Sequence, residues 1–132
     1  EEYAIDILEI QEIIKLPEIT ALPRIKGFIL GIVSLRGTIV PIVDLRKLMG
    51  LGESEHTRAT RVLVIRSDDE PIGIVVDSVT SVLRIEKDAI EPKPRTMQRG
   101  SSEFFKGVGR IDGRLLILLD AEAVSLAVDD AI

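Results

Sequence analysis

At 132 residues and 45% hydrophobic side chains, the chain suffices for one packed domain that buries roughly two-thirds of its unfolded surface. A net charge of -5, with pI near 4.9, argues against a nucleic-acid binder that works through a basic face. The absence of cysteine excludes disulfides, thiolate nucleophiles and zinc–thiolate sites, and no apolar run approaches the ~20 residues of a membrane-spanning helix. These limits point to a soluble protein of a reducing compartment, expected in the cytoplasm. Only 3% of the residues are aromatic, so the core must be built from Ile, Val and Leu.

In chain order, Ile7–Leu16 spaces its isoleucines as either a helix or a strand would; the valine-rich echo at Val76–Ile85 favours strand. Pro17–Gly27 reads as an irregular surface loop. Gly31–Arg36 and Thr38–Val43 are apolar runs around Gly37 and predict a hairpin. Asp44 then precedes Leu45 and Leu48 and is expected to cap a short helix. A polar loop, 52–60, leads to short β-branched runs at Arg61–Arg66 and Ile72–Val76, joined by the turn-prone Ser67–Pro71. Glu86–Ser102 reads as a second irregular loop. Gly107–Ile111 and Arg114–Leu119 flank Asp112-Gly113, the strongest short-range hairpin signal, because a type I′ turn needs positive φ at both central residues. Asp120 stands before Ala121 and Val124 as Asp44 stands before Leu45, with Val128–Ile132 left as a short tail.

These elements repeat. Gly31, Gly37 and Asp44 correspond to Gly107, Gly113 and Asp120 at an offset of 76. Upstream the offset is 69: Ile5, Ile7, Ile10, Ile13, Ile14 and Lys15 match Ile74, Val76, Val79, Val82, Leu83 and Arg84. The second copy therefore carries about seven extra residues, expected around Thr96–Ser102. Two copies of one unit predict two similar lobes, from repeats at approximately 1–51 and 61–126. The same offset puts the counterpart of Arg61–Arg66 ahead of residue 1. The first lobe is therefore expected to lack its first strand and to expose an unpaired edge, and two chains exchanging elements in a homodimer is one way to cover it.

Catalytic candidates are weak. His56, the one histidine, lies in the polar loop beside Glu53 and Glu55 with no second ligand of its kind. Asp44 and Asp120 are repeat equivalents, which favours two structural caps over a converging pair; Asp77 stands at a strand end. Gly31–Gly37 lacks the Lys-Ser/Thr of a phosphate loop, and Ser34, Ser101 and Ser102 lack a base. An enzyme, a metal site and a cofactor are not expected.

The copies differ most visibly at one turn. Arg36 occupies the place that Asp112 fills, although positive φ suits Asn and Asp better than Arg. It is either a solvated turn residue or a cation presented to an acidic partner, whose carboxylate its planar fork can take bidentately.

Tyr3-Ala-Ile-Asp-Ile7, Ile10-Gln-Glu-Ile-Ile14 and Gly31-Ile-Val-Ser-Leu-Arg-Gly-Thr-Ile-Val-Pro-Ile-Val-Asp-Leu-Arg46 resemble the CheW family of chemotaxis coupling proteins. Ile72–Asp77, Ile90–Pro92, Phe105–Gly109 and Leu115–Asp120 match its second half. The departures are Ser34, where the family usually has Asn, and the absent first strand. The resemblance implies an all-β fold of two SH3-like, five-stranded barrels related by a pseudo-twofold axis. It also implies a non-catalytic adaptor between the cytoplasmic tip helices of chemoreceptors (methyl-accepting chemotaxis proteins) and the regulatory domain of the histidine kinase CheA. The receptor hairpin is expected in a groove between the lobes. On that resemblance Arg36, Glu12 and Ile10 are expected at receptor and kinase contacts, and Val33, Leu35 and Val108 on an apolar docking face, unless they are plain hairpin core. Gly37 and Gly113 serve the turns. The alternative is a CheW-like regulatory module of a larger signalling protein; the short tail favours the stand-alone adaptor. A small-molecule-binding barrel is a more distant third reading.

Overall fold

The structure is a computed structural model, and it describes residues 2–52, 55–67, 70–93 and 103–131. The strands are β1 (Glu2–Ala4), β2 (Ile10–Lys15), β3 (Ile29–Leu35), β4 (Thr38–Asp44), β5 (Arg61–Ser67), β6 (Glu70–Val76), β7 (Ile90–Pro92), β8 (Phe105–Ile111) and β9 (Arg114–Leu119). Two α-helices, α1 (Leu45–Leu48) and α2 (Ala121–Ala131), each follow a hairpin. Ile7–Leu16 resolves into a 3₁₀ turn, Ile7–Glu9, and then β2; the turn begins where Asp6 accepts a hydrogen bond from the Leu8 amide at 2.9 Å.

Both hairpins turn as their glycines require. Arg36 and Gly37 have φ of 50° and 82°, and Asp112 and Gly113 have 48° and 76°. The closing pairs are Leu35 with Thr38 and Ile111 with Arg114. The caps also match across the repeat. Asp44 accepts from the Arg46 amide at 3.0 Å, and Asp120 from the Ala123 amide at 3.1 Å. The Asp44 and Asp120 amides donate to Phe28 and Phe104, each at 2.8 Å, so each cap is tied to the start of its own hairpin.

The strands form two sheets in the orders β2-β5-β6-β4-β3 and β1-β9-β8-β7. β6 lies parallel to β4, and its counterpart β1 lies parallel to β9. Each copy thus sends its leading strands into the sheet built on the other copy's hairpin. The consequence corrects an expectation. The lobe containing Ile29–Asp44 is complete at five strands, because β5 and β6 come from the second copy. Among the described residues it is the other lobe that has four strands.

This exchange explains the continuous apolar run of β5. Leu63 and Ile65 enter one core with Val43, Ile74, Phe104, Leu119, Val124 and Val128, drawn from both sheets and α2. Val62 and Val64 enter the other, with Val33, Val40, Ile42 and Val75, inside the five-stranded lobe. All four β5 residues are buried, so both faces of the strand are core.

Two further expectations change. Val128, read as part of a tail, is buried in the inter-lobe core, because Ala121, Val124, Ser125 and Val128 recur at helical spacing and keep α2 running to Ala131. The loop after Glu86 holds a 3₁₀ turn, Lys87–Ala89, and the strand β7, whose Glu91 pairs with Val108. The extra residues expected around Thr96–Ser102 lie outside the described residues.

Candidate functional site

β2 and β3 are the edges of the five-stranded sheet, and the chain closes that side at two points. Thr20 and Ile32 exchange backbone hydrogen bonds, both at 2.9 Å. Farther along, the Arg36 guanidinium at the turn donates to the Glu12 carboxylate on β2. Two residues expected at contacts, 24 positions apart in sequence, thus form one ion pair. The Arg36 side chain is 65% exposed and that of Glu12 26%. A pair this open contributes at most about 1 kcal/mol to stability. It also leaves the guanidinium accessible, so an incoming carboxylate can share or replace Glu12 without disturbing the core.

The remaining candidates divide. Ile10, half-buried, starts β2 opposite Ile65, on the same strand as Glu12. Leu35 is half-buried beside Arg36 and packs on the core of the five-stranded lobe. Val33 is 5% exposed inside that core, because the alternation of β3 turns it inward with Gly31; it is a core residue rather than a contact. Val108 is half-buried in the other sheet, paired with Glu91 and Ile117. Arg36, Glu12, Leu35 and Ile10 thus belong to one lobe, and Val108 stands apart from them. Lys106 on β8 reaches Glu9, in the 3₁₀ turn ahead of β2, at 3.7 Å.

Reading by residue type missed Ile39 and Leu115. They are repeat equivalents just past the two turns, and 59% and 54% exposed. Their signal was present: each run is apolar at a position that alternation assigns to the outside. Such a pair gives both hairpins the same apolar shoulder, a feature that suits protein contacts.

His56 is exposed, and Asp44 and Asp120 are engaged as caps. Among the described residues no three His, Asp or Glu side chains are grouped to hold a metal ion, and no helix is long and apolar enough to cross a membrane.

A CheW-like domain model matches residues 1–128. The chain is 38% identical over 122 residues to the chemotaxis protein CheW of Klebsiella aerogenes, covering 92% of this chain and 74% of that one. It is 36% identical over 124 residues to the chemotaxis protein CheW of Helicobacter pylori, covering 94% and 74%. The crystal structure of the scaffolding protein TtCheW from Thermoanaerobacter tengcongensis superposes with a TM-score of 0.83 at 31% identity, covering 92% of this chain and 79% of that one. A repeat-built pair of β lobes and a match along nearly the whole length lead to one conclusion: the chain belongs to the CheW-like domain family.

Proposed function

We propose that the protein is a non-catalytic coupling adaptor of bacterial chemotaxis, working in the cytoplasm, that joins chemoreceptor tip helices to the regulatory domain of the kinase CheA. Its similarity to CheW proteins and to a CheW scaffold structure supports the adaptor role. The observation that carries the site is the open Arg36–Glu12 pair, flanked by Ile10 and Leu35. A cation held at a strained turn, weakly committed to its neighbour, is suited to capture an acidic side chain of a partner helix, while adjacent aliphatic residues supply apolar contact.

Arg36→Asp separates binding from folding, because it installs the residue that the second copy uses at the same turn position. Aspartate tolerates positive φ better than arginine, which offsets part of the lost pair with Glu12, so stability is expected to stay within about 1 kcal/mol of the parent, the most that so open a pair contributes. Affinity for a receptor-tip fragment or for the kinase regulatory domain, measured by calorimetry, is expected to fall at least about tenfold, as for an interfacial arginine anchor. Unchanged affinity for both partners would remove Arg36 from the docking surface.

A further inference from the structure

β2 and β5 bring two like charges together where they meet. Lys15, the last residue of β2, lies directly opposite Arg61, the first of β5. Directly opposed residues of an antiparallel pair project to the same face, with Cβ atoms roughly 5 Å apart, and like charges so placed repel. Among the described residues neither cation is paired with a carboxylate, whereas Arg36, Arg46, Lys106, Arg110 and Arg114 each are. The chain carries 22 acidic residues against 17 basic ones, so acids to relieve the repulsion are not scarce.

The two head groups are prepared differently. Arg61 is half-buried, and its Nη1 donates to the Arg58 and Thr60 carbonyl oxygens, both at 2.8 Å. A guanidinium has five N–H donors, and these bonds leave those on Nη2 and Nε uncommitted. Lys15 is exposed and free to move its ammonium toward an anion. Two residues back on the same face of β2 stands Ile13, opposite Leu63 and 45% exposed. The face therefore presents an aliphatic side chain and, about 6.8 Å along the strand, a pair of cations. Alternation turns Ile14 the other way, onto the core inside the five-stranded lobe. Glu12, which holds Arg36, shares that opposite face, so the two sites are distinct.

We infer that the face formed by Ile13, Lys15 and Arg61 docks a helix of a partner protein that carries a carboxylate one turn from an aliphatic side chain. Residues i and i+4 of a helix are about 6 Å apart along its axis, which matches the step from Ile13 to Lys15. A carboxylate set between the two cations replaces their repulsion with charge-assisted hydrogen bonds to both. The aliphatic neighbour covers Ile13. Two cations on a chain of net charge -5 are too few to hold a phosphate backbone or an anionic lipid surface, which the remaining charge repels. A single carboxylate is the anion they fit.

The probe is an alanine-rich helical peptide with Leu at i and Glu at i+4, titrated against the chain and followed by amide chemical shifts. Saturable shifts are expected at Ile13–Lys15 and Arg61–Leu63. The same peptide with Gln in place of Glu is expected to bind about tenfold more weakly, the loss of its charge-assisted bonds, and Lys15→Gln should narrow that difference. Lys15→Glu is expected to abolish the shifts while raising the melting temperature of the free chain by about 3 °C, because a like-charged cross-strand pair becomes an opposite one. A lysine with a merely structural role would not show both effects. Absence of shifts at these residues, equal binding of the two peptides, or a lower melting temperature for Lys15→Glu would overturn the inference. So would self-association of the free chain through the same amides, which would give the face to a second copy.

Discussion

Gly31→Ala is expected to destabilise the fold by about 3 kcal/mol, near the upper range for forcing extra atoms into a packed site. Gly31 sits where β3 shifts register against β4 and where the Thr20 backbone crosses it. A Cβ there would overlap the Thr20 carbonyl oxygen and lie 2.8 Å from its carbon and 2.9 Å from Ile19 Cγ2. The obstacle is backbone, which cannot rotate away as a side chain can. The φ of 150° is also one that residues with a Cβ rarely adopt. To make room, Thr20 must withdraw, and both hydrogen bonds between Thr20 and Ile32 weaken with it. For a chain of this length the melting temperature should fall by roughly 10–15 °C, as calorimetry would read. Gly107 is the repeat equivalent, and its Cβ would lie 2.7 Å from the Glu91 carbonyl oxygen. Gly107→Ala should therefore be damaging for the same reason, though less so. A Gly31→Ala protein melting within 2 °C or so of the parent, below the shift of a 1 kcal/mol change, would mean the chains do not cross so closely.

Ile65→Ala is expected to cost about 2–5 kcal/mol, the range for truncating a fully buried isoleucine. Ile65 is 0% exposed and lies in the core shared by both sheets and α2. Truncation there loosens the contact between lobes as well as within one. Total stabilities of domains are about 5–15 kcal/mol, so the variant approaches the limit of folding. Urea denaturation should show a lower midpoint with an unchanged slope. Ile39→Ala provides the contrast: at 59% exposure its truncation should change stability by less than about 0.5 kcal/mol. Equal losses at the two positions would contradict the placement of the core.

Most of the local structure is legible in the chain because it depends on residues close together. Asp112-Gly113 specifies its turn through backbone preference alone, and Asp44 and Asp120 cap helices that start one residue later. The partner of each strand is another matter. Nothing near β6 records that it lies against β4, because that parallel pairing is a choice made when both cores are packed. The repeat shows two equivalent units but not that their leading strands cross over, so among the described residues the lobe with fewer strands is the opposite one from that expected. Val33 and Leu35 illustrate the same limit within a single strand. Both are aliphatic, and only the register decides that Val33 faces inward. Arg36 and Glu12 were each identifiable, one by its unfavourable φ and both by family resemblance. Their contact depends on the closure of the sheet between β2 and β3. The end of α2 is hard to read locally: Asp129 and Asp130 oppose the helix dipole there, while burial of Val124 and Val128 outweighs that penalty.

Central here is the proposed coupling, by which the protein would make kinase activity depend on receptor. The most direct measurement is the phosphorylation rate of CheA mixed with receptor-containing membranes, with and without this chain. The rate is expected to rise roughly tenfold or more when the chain is added, within the usual range of coupling between sites, and Arg36→Asp is expected to remove most of that rise. A rate unaffected by the chain, at concentrations that saturate binding, would contradict the adaptor reading.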